Sequence, residues 1–180
     1  MSDTEPLRPD VAERPLRWLN LAVGLVQMGA AAVMMWLVDW DKVAPVYTNF
    51  PDVDAPRAIA NMRPVQHRWT TFSVGAMSSV FLFMSGLDHW LVSIPSRVWR
   101  VYFSGVKRGR NLFRWTEYFF SASLMHAEIA LLCGIFDVHL LFAVYALTAV
   151  TMVFGALQEV YGSKGDATLF YLGMVPHLSN

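Results

Sequence analysis

The stretch 111–125, NLFRWTEYFFSASLM, places an acid where chemistry is expected. Glu117 stands three residues past Arg114, the last charge of a basic run, on an apolar, small-residue segment that continues to Phe136. A carboxylate on a membrane helix costs roughly 2.5–3.5 kcal/mol at mid-bilayer, so such a group faces the bundle interior, a partner cation or a water cavity. At helical pitch Ser121 lies one turn on from Glu117, and Leu124 and Glu128 continue that face, because eleven residues make about three turns. The face is polar and small, and a functional acid is its default reading. The plainer alternative is a carboxylate near a helix start that snorkels to the interface or favours the helix dipole.

Other groups converge on the same end of the bundle. Asp88 and His89, in SGLDHWLVS at 85–93, fall in the last third of a second apolar segment. A helix running back toward the starting side brings that third to the beginning of the next helix, and so to Glu117. His89 also fits an ordinary interfacial histidine. Gln27 is a polar side chain inside the first apolar segment and needs a partner there. The single cysteine, Cys133, cannot form an internal disulfide and reads as packing. No metal-ligand spacing, Gly-rich phosphate loop, HExxH or nucleophile elbow occurs, so neither a metal site nor an enzyme is expected.

These residues need a membrane scaffold to hold them. In 180 residues, 55% are hydrophobic and 16% charged, with fourteen basic against fourteen acidic side chains. That is too apolar for a soluble domain of this size, and zero net charge gives no field for nucleic acid. The expected fold is an all-α membrane bundle. Residues 1–17 are polar, lack a signal-peptide pattern and read as a cytoplasmic N-terminal segment. Residues 18–180 form the bundle, with helices at about 18–38, 69–94, 115–136 and 138–157 and a partial fifth at 167–180. Four prolines exclude a helix from the outside loop at 39–68, where 46–50 and 58–62 could make two short strands around FPDVDAP. Between Ile94 and the third helix lies a basic linker. Ten of the fourteen basic residues fall on the side of the N-terminus, which places that terminus in the cytoplasm of a multi-pass cell-membrane protein. Trp18, Trp90, Trp99 and Trp115 would sit at the inner interface, and Trp36, Trp40 and Trp69 at the outer one.

The string FRWTEYFFSASLM resembles the third helix of heliorhodopsins, retinal proteins of inverted orientation in which an RWxEY element precedes a serine-rich run. The likeness resumes at LLCGIFDV (131–138) and VFGALQEVY (153–161), and reaches back to LVQM (25–28) and SGLDHWLVS. It implies a rhodopsin-like bundle around all-trans retinal, sensing light without pumping. It further implies that Glu117 is counterion to the protonated retinal Schiff base. Ser85, His89 and Gln27 would belong to a polar cavity that receives the proton, and Ser121, Met125, Thr148 and Met152 would pack against the polyene and ring. The outside loop would carry a hairpin that contributes to a homodimer in the lipid bilayer. Some positions depart from the pattern: Gly24 stands where a histidine is expected, and Asp88, His126 and Glu128 are additional. Lys42, Lys107 and Lys164 all lie in or next to loops, so none suits a Schiff base. The expectation is therefore four helices and the start of a fifth, cut before the lysine-bearing helix and not a competent photoreceptor alone. The competing readings are a helical membrane scaffold without chromophore, and half of a proton-coupled transporter that uses Glu117 and Glu128.

Overall fold

The computed structural model describes residues 11–51, 64–162 and 166–178. Helix α1 spans Glu13–Leu37 and begins five residues before the expected start at Trp18. Pro15 causes no conflict, because first-turn amides have no intrahelical acceptor, and Glu13 favours the positive helix end. Helix α2, Val74–Ser93, starts later than expected because Trp69 to Phe72 belong to a strand. The two helices meet through glycines. A methyl group on Gly24 would come within 2.5 Å of Trp90, and one on Gly86 within 2.6 Å of Met28, so small residues set this close approach. A methyl group on Gly29 would meet nothing within 4 Å.

The segment between α1 and α2 forms an antiparallel hairpin of β1 (Ala44–Pro51) and β2 (Pro64–Phe72), with an irregularity between Val46 and Tyr47. The first strand agrees with expectation. The second lies further along, and the stretch 58–62 falls outside the described residues. Threonines at 70 and 71 and the aromatic Trp69 and Phe72 give the observed strand its β character.

Proline ends α2. Pro95 lacks an amide hydrogen, and the chain turns there by 96° into α3, Ser96–Lys107. The expected linker is thus largely helical. Trp99, Tyr102, Phe103 and Val106 fall at i, i+3, i+4 and i+7 and pack with Val92, Leu16 and Phe113, while Arg97, Arg100, Ser104 and Arg108 are exposed. Trp99, only 2% exposed, is a core residue.

Helix α4, Leu112–Leu132, packs between α2 and α5, which spans Val138–Tyr161. By length and composition α1 and α5 can cross a membrane. Helix α4 has 21 residues but carries Arg114, Glu117 and Glu128, charges that its place between two helices removes from lipid. The Asn111 side chain caps it by accepting from the Arg114 amide at 3.1 Å. Asp137 caps α5 by accepting from His139 and Leu140 at 2.9 and 3.0 Å. Those backbone bonds, Leu140 first, hold the Asp137 carboxyl below its ordinary value, with Asn49 helping. The hairpin docks on this turn, where Tyr47 donates its amide to Phe136 at 2.8 Å and Asn49 donates to Asp137. Cys133, the last residue against α4, is exposed and does not pack in the core. Helix α5 runs four residues past the expected end at 157, because Glu159 pairs with Arg114 and Gln158 bonds to Asp166 and Phe170. Helix α6, Thr168–Leu178, packs back on α5.

Candidate functional site

Two helical triplets face each other at the end of the bundle where α2 finishes and α4 begins. Ser85, Asp88 and His89 share a face of α2 at i, i+3 and i+4, and Arg114, Glu117 and Tyr118 do the same on α4. With Asn20 of α1 and Tyr102 of α3 they line a cavity of about 120 Å³. The Ser85 hydroxyl donates to Oε1 of Glu117. His89 Nδ1 lies 2.8 Å from Oδ1 of Asn20, whose Nδ2 donates to the Leu16 carbonyl at 3.1 Å and approaches the Tyr102 hydroxyl at 3.5 Å.

Charge around the cavity is arranged so that Glu117 is not neutralised by its nearest arginine. The Arg114 guanidinium pairs with Glu159 of α5 at 2.6 Å, and the second Glu159 oxygen accepts from the Asn111 amide at 2.9 Å. This ties the beginning of α4 to the end of α5. Trp115 lies against Gly155, where a methyl group would come within 2.3 Å of the ring. Below the cavity, Arg17 donates to the carbonyls of Ser93 and Ile94 at 2.8 and 3.1 Å and stacks over Trp99, whose indole donates to Glu13 at 2.7 Å. These contacts join α1, the α2–α3 turn and α3 at the same end of the bundle.

The structure thus brings together Ser85, His89 and Glu117. Gln27 lies seven residues beyond Asn20 on α1, does not line the cavity, and keeps its Oε1 buried without a partner. Ser121 and Thr148 are buried, the latter bonding its own helix at the Val144 carbonyl, and Met125 is half-buried. Met152 lines a separate crevice of about 400 Å³ with Trp115 and Phe119. None of these four borders the Glu117 cavity. Asp88 does, and so acquires a place there. Asn20 and Tyr102 escaped the sequence reading. Asn20 had a detectable signal, an amide one turn before Gly24 in an otherwise apolar run, whereas Tyr102 depends on the unrecognised α3.

A second acid lies toward the C-terminal end of α4. Glu128 is 5% exposed, accepts from Ser78 and keeps Oε2 buried without a partner. His126 is directed to its own helix, at 3.0 Å from the Ala122 carbonyl. Among the described residues no group of three histidine, cysteine or acidic side chains could hold a metal ion.

A helical membrane bundle with a carboxylate-bearing cavity between its central helices defines a class of membrane proteins with an ionisable group inside the bundle. Within that class the chain belongs to the heliorhodopsin family, whose profile matches residues 16–180. Comparison with curated proteins finds no match.

Heliorhodopsins normally bind retinal. The donor set suits the charged end of that group, since Glu117 offers carboxylate oxygens to a cavity also lined by Asp88 and His89. The polyene is a different matter, because a space of about 120 Å³ is below the roughly 300 Å³ at which ligand pockets begin. The cavity would therefore admit the nitrogen end alone.

Proposed function

We propose that this chain carries the counterion of a light-sensing, non-pumping retinal protein of the cell membrane, with a cytoplasmic N-terminus. The observation that carries the proposal is the Ser85–Glu117 hydrogen bond inside a cavity shared with Asp88 and His89. When bound, retinal supplies a light-driven change in the position and basicity of a protonated nitrogen. Glu117 is the carboxylate that balances this charge, and Ser85 orients one of its oxygens. His89 is within the same cavity and can accept a proton. The contacts of Asn20 with Tyr102, and of Arg17 with Trp99, close the inner end and favour retention of that proton over release.

Ser121, Met125, Thr148 and Met152, on α4 and α5, are the polyene-side candidates. No lysine lies in α1, α2, α4 or α5. The hairpin on the outer side is the surface offered to a second copy. The transporter reading is weaker, because Glu128 does not line the Glu117 cavity.

Two experiments test this function. In the retinal-loaded protein, Glu117→Gln should shift absorption to the red or release the Schiff-base proton at neutral pH. An unchanged colour and titration would remove Glu117 as counterion. For orientation, in a Cys133→Ser background a cysteine at the exposed Asp41 should react with an impermeant maleimide on intact cells, and one at the exposed Ser104 should not. The opposite pattern would reverse the topology.

A further inference from the structure

Asn20 is 6% exposed, and its amide has one acceptor and two N–H donors. The Leu16 carbonyl oxygen, 3.1 Å away, can only accept, so the atom facing it is the amide nitrogen. The opposite orientation would bring two oxygens together with no hydrogen between them. The amide atom 2.8 Å from His89 Nδ1 is then Oδ1, which also only accepts. It follows that Nδ1 carries a hydrogen, and in a neutral ring this leaves Nε2 as the basic atom.

We propose that Asn20 is a positioning residue that holds neutral His89 as its Nδ1–H tautomer, making Nε2 the atom through which the ring takes up a proton. The titratable groups around this cavity are Asp88 and His89 of α2, Tyr102 of α3, and Arg114, Glu117 and Tyr118 of α4. A proton arriving at Nε2 forms the imidazolium, while Nδ1–H continues to donate to Asn20. An amide oxygen is not a useful base, so the ring does not pass its other proton on into α1. His89 is accordingly a terminus for protons and not a relay. This last consequence rests on the proposed function, whereas the tautomer does not.

The test is nitrogen NMR of the 180-residue chain, labelled with ¹⁵N-histidine, in lipid nanodiscs without retinal at a pH where His89 is neutral. Signals are assigned by their loss in His89→Gln. The expected spectrum has a protonated-type Nδ1 and an unprotonated-type Nε2. Asn20→Asp keeps an acceptor at this point and should preserve the pattern. Asn20→Leu should release the ring to a mixture rich in Nε2–H. Tyr102→Phe should change nothing, because the Leu16 carbonyl alone orients the amide. An Nε2–H ring in the unaltered chain overturns the proposal, as does an Asn20→Leu spectrum identical to it. If Asn20→Leu fails to fold, the unaltered chain and Asn20→Asp still decide. Failure of the functional reading would look different: the dark tautomer would stand, but illumination of the retinal-loaded protein would leave Nε2 unprotonated.

Discussion

Glu117 and Glu128 occupy one face of the same helix, about three turns apart, and each accepts from a serine of α2. Their surroundings separate them. Glu117 borders a cavity with another acid, a histidine and an arginine, and its serine partner sits one turn from His89. Glu128 is almost wholly buried, with one oxygen on Ser78 and the other unpartnered. Spacing along a helix therefore brings acids to a common face, but the neighbouring helices decide whether an acid has room and partners for chemistry. Both glutamates satisfy the same periodicity, and the polar cavity borders Glu117 and not Glu128.

The largest effect expected from this difference is on the Schiff-base pKa. Eleven residues of helix separate the two by about 16 Å along the axis. At an effective dielectric constant of 20, a unit charge acts with about 1 kcal/mol at that distance, against about 4 kcal/mol at 4 Å. In the retinal-loaded protein, Glu128→Gln should consequently move the Schiff-base pKa, read as the pH at which the visible band is lost, by no more than about a quarter of the Glu117→Gln shift. Absorption spectra of the two variants, recorded over the same pH range, make the comparison. Equal shifts would erase the distinction between the two acids, and a larger shift for Glu128→Gln would reverse it.

Stability should follow the opposite order. Ser78→Ala takes the hydroxyl from a carboxyl whose other oxygen already lacks a partner, and leaving a buried polar group unsatisfied costs about 1–3 kcal/mol. Ser85→Ala removes the same kind of bond beside a cavity of about 120 Å³. That space is large enough for water, which can take over the lost contact at modest cost. Equilibrium unfolding in a mild detergent should show the larger loss for Ser78→Ala. A larger loss for Ser85→Ala would mean that the cavity does not admit water.

The inner region was legible in the sequence only in part. Charge-free runs revealed the long helices because a bilayer-crossing segment requires about twenty apolar residues. The RWxEY resemblance singled out Glu117, Ser85 and His89, and the structure gathers those three. Helix α3 was hidden because its basic residues dominate the composition, although Trp99, Tyr102, Phe103 and Val106 keep helical spacing beneath them. Asn20 was missed for a different reason: periodicity places an amide on a face, but only the packing of α1 on α2 sets it opposite His89. Gln27 illustrates the same ambiguity from the other side, being equally polar and equally embedded in the sequence yet absent from the cavity. At the outer end, the exposed and partly charged run from Gln66 to Trp69 masked the second strand.

That outer end gives the smallest and most separable effect. Asp137 caps α5 and accepts from Asn49, so it connects the hairpin to the turn between α4 and α5 without touching the Glu117 cavity. Losing such a cap costs about 0.5–2 kcal/mol, so Asp137→Ala should lower stability within that range. The sign of the pH dependence follows from its cause. Because the folded carboxyl lies below its ordinary value of 3.8, the unfolded state binds the proton more readily at low pH. The contribution is present above pH 3.8 and is lost as pH falls through the lower folded value. Asp137→Asn keeps an acceptor for the cap but cannot ionise, and should flatten this acid-side dependence while retaining part of the stability. Unfolding measured from neutral to acid pH for the three proteins checks both statements. If Asp137→Asn retains the full acid-side slope, another carboxyl is responsible. If the docked hairpin is independent of the inner cavity, as the contacts indicate, neither substitution should alter the His89 nitrogen spectrum.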